Sequence, residues 1–296
     1  MYSKELINNL LKNTVYENLE IKEVDFQGHD NRTYRLGENF SIRIPSNIKY
    51  NQQILKMYEL LPFISSNLNV KIPNILFIGE KSELVPYKYC ICEWITGKDL
   101  KENNLYGLSN EEKKIFIENL TAFMKLLYSI KIDINNPKIA KYISNTDNFY
   151  RGNHISIYKN EFLIYLEKYK DYIDVNNVNN VKKLFHRGLD SKWEKHVVFV
   201  HGNLMAGNIL VENNRLKAII DWGSMGIGDP ACDLIILWLY FNKEERDYFK
   251  LKLDIDENTW NRGISWALWK CLANINSNTL SLNDGIRIIE NIIYDQ

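Results

Sequence analysis

Residues 197–234 read VVFVHGNLMAGNILVENNRLKAIIDWGSMGIGDPACDL, and the succession of short elements in this stretch decides the fold. The apolar run Val197 to Val200 is predicted to be a short buried strand. A loop follows, His201-Gly202-Asn203-Leu204-Met205-Ala206-Gly207-Asn208. Two more strands are expected, Asn208 to Glu212 and Leu216 to Ile220, joined through Asn213-Asn214, because asparagine tolerates the positive φ of a tight turn. The last strand runs into Asp221-Trp222-Gly223. Asp229-Pro230 then opens a helix, with aspartate as its cap and proline in the first turn, where the missing N–H costs nothing.

Upstream, residues 20–45 alternate and break at Gly28, Gly37 and Pro45, which predicts three short antiparallel strands. A helix is expected from about Tyr50 to Ser66, with Ile54, Met57, Tyr58 and Leu61 on one face, then strands near Ile75 to Gly79 and Tyr87 to Ile95. Thr96-Gly97-Lys98-Asp99 reads as a hinge. Beyond it Ser109-Asn110-Glu111-Glu112 forms a capping box at the start of a helix that carries Phe116, Leu120, Phe123, Met124, Leu127 and Ile130 on its apolar face. Helices are predicted over 155–170 and 177–193, and again over 230–241, 243–252, 256–276 and 281–293. The fold class is α+β, with a small antiparallel lobe over residues 1–96 and a larger, mainly helical lobe over 97–296.

The chain has 296 residues with 37 basic and 37 acidic side chains. A formal charge of zero offers no electrostatic footprint for nucleic acid or an acidic membrane surface. The longest apolar run, Leu234 to Phe241, is too short to span a bilayer. The start, MYSKELINNLLKN, reads as an amphipathic helix and not as a signal peptide. A cytoplasmic monomer is expected. Cys90, Cys92, Cys232 and Cys271 fit reduced core thiols, since no Cys/His spacing matches a metal site.

The small antiparallel lobe, the hinge, and the helical lobe with its H-G-N and D-W-G loops together resemble the aminoglycoside phosphotransferase family of kinase-like enzymes over nearly the whole chain. That family reads an apolar strand, H-G-D-x-x-x-x-N-[ILV]-[LV], a hairpin, then [IV]-[IV]-D-[FW]-x-x-[AS]-x-x-G-D-P-x-x-D. Gly28 to Asn31, GHDN, and Ser41 to Pro45, SIRIP, are similar to the branch that includes macrolide kinases. The resemblance implies a bilobal kinase-like fold that binds ATP or GTP with Mg²⁺. In it Asn208 and Asp221 hold the metal against the phosphates, as hard oxygen donors suited to magnesium. His201 supports the loop and Asp233 is structural. Arg43 stands where related kinases use a lysine on the α- and β-phosphates. Its carboxylate partner should come from the helix at 50–66, but the aligned residue is Met57, and Glu59 needs a register shift. The turn at Gly28 to Asn31 substitutes for a glycine-rich phosphate loop, and the nucleotide base is expected against Cys92 to Ile95, with Glu93 and Ile95 among its neighbours.

Asn203 occupies the position at which the family carries its catalytic aspartate. Asparagine can orient an acceptor hydroxyl but cannot take its proton, and general-base assistance contributes roughly 10² to 10⁴ in rate. A designed Asp→Asn change, a natural nucleotide-binding pseudo-kinase, and an enzyme with another base or substrate-assisted transfer are each compatible with this residue.

The resemblance points to a small-molecule acceptor, an aminoglycoside first and a macrolide second, with choline, homoserine or fructosamine-type metabolites as a further alternative. The C-terminal helices contain Asp247, Asp254, Asp256, Glu257 and Asp284 beside Trp238, Trp260, Trp266 and Trp269. Of these, Asp254, Asp256 and Glu257 are expected to meet the ammonium groups of a cationic substrate.

Overall fold

The computed structural model describes residues 2–25, 27–83, 85–101, 107–143, 146–276 and 280–295. Helix α1 (Lys4–Leu11) begins at Ser3, whose hydroxyl accepts from the Leu6 amide. Strands β1 (Ile21–Glu23), β2 (Asn31–Leu36) and β3 (Phe40–Pro45) follow, then α2 (Asn51–Ser65), β4 (Ile75–Gly79) and β5 (Tyr89–Glu93). They form one antiparallel sheet in the order β1-β2-β3-β5-β4. The period of two along each strand explains its faces. Tyr34, Ile42, Ile44, Tyr89 and Ile91 pack on one side against Ile7 and Leu11 of α1. Cys90 and Cys92 point to the other, where Ile54, Met57, Leu61 and Ile64 of α2 cover the sheet. Arg43 and Ser41 lie opposite Cys90 and Cys92 in the β3–β5 register, so the same alternation that buries Ile42 and Ile44 turns Arg43 toward the rest of the chain.

The crossover is shorter than a free hinge. Lys98–Asp99 forms β6, which pairs with Val211 and Leu210. The Leu100 amide donates to the carbonyls of Ala206 and Ile209. The helical part then comprises α3 (Asn110–Ser129), α4 (Pro137–Ala140), α5 (Lys159–Tyr169) and α6 (Val175–Asp190). The Ser109–Glu112 capping box is present as expected, and Phe116, Leu120, Phe123, Met124 and Leu127 are buried on the predicted face of α3. Strand β7 (Val198–Val200) leads to the hairpin β8 (Ile209–Glu212) and β9 (Arg215–Ile219), whose turn residues Asn213 and Asn214 both have positive φ, 51° and 61°.

Two features depart from the expected layout. Gly226–Gly228 forms β10 and pairs with β7, a strand of two glycines and one isoleucine that no local pattern announces. The helix expected over 230–241 divides into a 3₁₀ turn, Pro230–Leu234, and α7 (Ile235–Tyr240). Helices α8 (Lys243–Leu253), α9 (Glu257–Asn276) and α10 (Leu282–Tyr294) complete the chain. Trp238, Trp260, Trp266 and Trp269 are all buried, as core tryptophans. Cys90, Cys92, Cys232 and Cys271 are buried free thiols. Among the described residues no helix is long and apolar enough to cross a membrane.

Candidate active site

The hairpin β8–β9 brings its two flanking residues together. Ile209 pairs with Ile219, and one step further the Ile220 amide donates to the Asn208 carbonyl at 2.9 Å. Asn208 and Asp221 therefore leave the same end of one hairpin. Asn208 gives its side-chain Nδ2–H to the Asn203 carbonyl at 2.9 Å, which leaves its Oδ1 as the donor atom turned elsewhere. Asp221 sits in the left-handed region (φ 64°, ψ 59°) at the start of the Trp222–Ser224 turn, an unfavourable conformation for a non-glycine residue that recurs at functional sites. Trp222, buried edge-on to Phe123 and His201, donates its indole N–H to the Ile219 carbonyl and pins the turn.

The loop that carries Asn203 is held by buried polar contacts. His201 is fully buried: its Nε2 meets the Ile220 carbonyl at 3.0 Å, and its Nδ1 accepts from the Asn203 amide. These two roles require the neutral Nε2–H tautomer, and burial pulls the imidazole pKa down to about 4. Asp233, in the 3₁₀ turn before α7, accepts from the amides of His201 (2.9 Å) and Gly202 (2.7 Å). Its burial pushes the carboxyl up to about 7, against the pull of those two amides. Gly202 has φ +79°, and a Cβ there would stand 2.1 Å from the Ser224 carbonyl oxygen, so only glycine lets the two loops touch. Asp229, the predicted helix cap, accepts from Ala231 and is gripped by the buried Arg262 at 2.6 Å.

Arg43 reaches this centre from the sheet. Its Nη2 lies 2.6 Å from Asp221 Oδ1. Burial lowers the guanidinium pKa, but the Asp221 carboxylate, with the Cys92 and Cys90 thiols behind it, more than offsets this and the net shift is upward. The carboxylate expected from the helix is absent from Arg43: Met57 is core, and Glu59 pairs with Lys141 and Tyr142. Instead Gln53, a turn earlier on α2, lies against the Asp221 loop, its Oε1 2.7 Å from where Gly223 would carry a Cβ.

The other predicted positions are dispersed. Asn31 is the first residue of β2 and buried, while Gly28 and Asp30 precede it; Asp30 meets His29 and Gln53. Glu93 ends β5 and accepts from the Asn74 amide side chain. Ile95 packs with Leu210 and Ala218 of the hairpin. Asp254, Asp256 and Glu257, expected at the rim of the substrate cleft, have structural contacts of their own. Asp254 is the C-cap of α8; Asp256 pairs with Lys195 and caps α9 through Thr259; Glu257 pairs with Lys250.

The model of the phosphotransferase enzyme family matches residues 20–263. The chain belongs to that family. Solved structures similar to this phosphotransferase-family chain include the aminoglycoside phosphotransferase APH(2")-IIa with gentamicin, at 19% identity, TM-score 0.67, with 100% of this chain and 97% of that one covered. APH(2")-IIIa with GDP and kanamycin is similar at 17% identity and TM-score 0.74, over 99% and 100% of the two chains. Macrolide 2'-phosphotransferase MphH from Brachybacterium faecium is similar at 16% identity and TM-score 0.56, over 92% and 91%. At such identities the likeness establishes the bilobal kinase-like fold. Outside the loop pattern, the residue types alone did not point to Gln53 and Arg262, which act through long-range contacts; a polar residue on the apolar face of α2 was the one local signal for Gln53.

Proposed function

We propose that this chain transfers the γ-phosphate of Mg·ATP or Mg·GTP to a hydroxyl of a small molecule, at a rate limited by Asn203. The observation that carries this is the convergence of Asn208 and Asp221 at one hairpin end, with the cation of Arg43 on the Asp221 carboxylate. The donor atoms fit magnesium: Asn208 offers an amide oxygen because its Nδ2 is engaged, and Asp221 offers the oxygen that Arg43 leaves free. Among the described residues no group of three or more His, Cys, Asp or Glu could hold a metal by itself, which suits an ion that keeps waters and shares phosphate oxygens. Bound there, Mg²⁺ would neutralise charge on the β- and γ-phosphates.

The residues do the rest by position. Arg43 is placed to grip phosphate oxygens. His201 and Asp233 fix the loop so that Asn203 faces the acceptor. The acceptor oxygen attacks the γ-phosphorus, the bond to the β–γ bridging oxygen breaks, and a nucleoside diphosphate leaves. Since Asn203 cannot take the hydroxyl proton, that proton goes to the transferred phosphoryl group or to water. Of the three acids expected to meet a polyamine, Asp256 and Glu257 are held in ion pairs with Lys195 and Lys250, so the support for an aminoglycoside acceptor is the family resemblance and not these side chains.

A second reading, a nucleotide-binding pseudo-kinase, is favoured by Asn203 and by the missing helix carboxylate opposite Arg43. Calorimetric titration with Mg·ATP and Mg·GTP, followed by a transfer assay beside the Asn203→Asp form, separates the two. Nucleotide binding with transfer that aspartate increases supports the enzyme; binding with no transfer from either form supports the pseudo-kinase; no nucleotide binding at all refutes both.

A further inference from the structure

Beside the catalytic loop lie buried donor atoms without a hydrogen-bond partner among the described residues, on an arginine, Arg151, whose charge acts on the buried Asp233 carboxylate and whose side chain also meets Tyr158. The segment before α5 turns back at Phe149, Tyr150 and Gly152, with φ of 55°, 57° and 85°. The turn presses Arg151 onto the loop, its Cβ and Cγ 2.9 Å from where Gly202 would carry a Cβ. Arg151 is 6% exposed. Its guanidinium carbon stands 5.7, 5.0 and 4.9 Å from the ring centres of Tyr158, Trp266 and Trp269. Among the described residues neither its Nε nor its Nη1 has a hydrogen-bond partner, and the buried indole N–H of Trp266 has none either.

Lys270 follows Trp266 by one turn of α9 and is half-buried, its ammonium 5.9 Å from the Trp269 ring. Burial and then the Arg151 charge pull its pKa down to about 8. The acids that act on Lys270 are engaged elsewhere: Asp30 with His29 and Gln53, Glu161 with Tyr165 and Trp269. Aromatic faces offset part of a buried positive charge, but they do not accept hydrogen bonds from several in-plane N–H groups at once. Buried donors without acceptors are costly and rare in native structures, and here they cluster against the residues that would present the acceptor.

We propose that Arg151, Trp266 and Lys270 form a subsite for an anionic group, carboxylate or phosphate, carried by the acceptor molecule next to the hydroxyl that Asn203 faces. This rests on the phosphotransferase reading and sets its acceptor class: a hydroxylated acid. A polyamine would meet two like charges here. Glu257 is the first residue of α9 and Asp256 the residue before it, thirteen and fourteen positions ahead of Lys270 and so about 20 Å away along the helix.

Calorimetric titration of the full chain with gluconate, inorganic phosphate and kanamycin tests this, repeated with Lys270→Gln, Lys270→Arg and Arg43→Gln. Saturable binding of at least one anion is expected, weakened tenfold or more by Lys270→Gln and largely restored in Lys270→Arg, whereas a loss on Arg43→Gln alone marks phosphate held at the nucleotide site. The tighter of the two anions names the group. No anion binding, weakening by Arg43→Gln in place of Lys270→Gln, or binding of kanamycin in place of the anions overturns the subsite. Mg·ATP titrated into the same samples keeps the two proposals apart. Nucleotide binding without anion binding removes only the subsite, and anion binding without nucleotide binding removes only the phosphotransferase reading.

Discussion

Arg43 and Asp221, 178 positions apart in the chain, meet at 2.6 Å. The contact joins the sheet to the hairpin end where a metal would bind, and it takes over the role that a carboxylate on α2 was expected to play. A bidentate-capable guanidinium holds both a carboxylate and phosphate oxygens, whereas an ammonium is a point charge. Replacing Arg43 by Gln is therefore expected to weaken Mg·ATP binding by about tenfold or more, with Arg43→Lys intermediate. Calorimetry on the two variants checks the order, and equal affinities for all three forms would show that Arg43 does not touch the nucleotide.

Asn203→Asp adds a proton acceptor without changing size. Transfer is expected to rise by roughly 10² to 10⁴, while nucleotide Kd stays within about threefold. A coupled assay for nucleoside diphosphate, run over several acceptors, reads the gain. The loop itself should not move, because its anchors are the backbone amides bound by Asp233 and the buried His201.

Gly202 and Gly28 offer a matched contrast. At Gly202 a Cβ would collide with the Ser224 carbonyl in a backbone conformation of φ +79°, whereas at Gly28 it would meet only the Asn31 carbonyl at 3.9 Å. Gly202→Ala is expected to destabilise by about 2 kcal/mol or more. Gly28→Ala should stay within about 0.5 kcal/mol. Urea denaturation of both variants measures the difference, and comparable losses would contradict the close approach of the two loops.

His201 makes stability depend on acid. Its folded pKa, about 4, lies below the unfolded value near 6.5, so the unfolded chain takes up the proton first. The contribution is fully present above about pH 6.5 and is lost as pH falls toward 4, on the order of 3 kcal/mol in all. Asp233 has the opposite sign: its folded pKa is raised to about 7, so its contribution is present at low pH and lost as pH rises through 7. Comparing the pH dependence of the parent with that of His201→Gln isolates the histidine, since Asp233 is common to both. The variant is expected to lose the histidine's rise in stability between pH 4 and 6.5 and to keep the opposing fall that Asp233 gives over the same range.

Local pattern alone determined much of this protein. The alternation of Ile42, Arg43 and Ile44 requires Arg43 to leave the face that its neighbours bury, and the i, i+3, i+4 spacing from Phe116 to Leu127 fixes the inner face of α3. Asn213-Asn214 is the turn it was read to be, and the loop letters around Asn203, Asn208 and Asp221 define the family. Such features are legible because the backbone period and turn chemistry act over a few residues.

Only the tertiary structure decided what each charge faces. It turned Glu59 to Lys141, put Gln53 on the Asp221 loop, sent Asp256 and Glu257 into ion pairs, and set Arg151 against the catalytic loop with its charge acting on Lys270. It also made a strand of Gly226–Gly228, which β7 and a bridge from Ile143 hold extended. Electrostatic partners and edge pairings are set by segments that are not neighbours in the local pattern, and the chain must close before their burial, and therefore their energy, has any definite value.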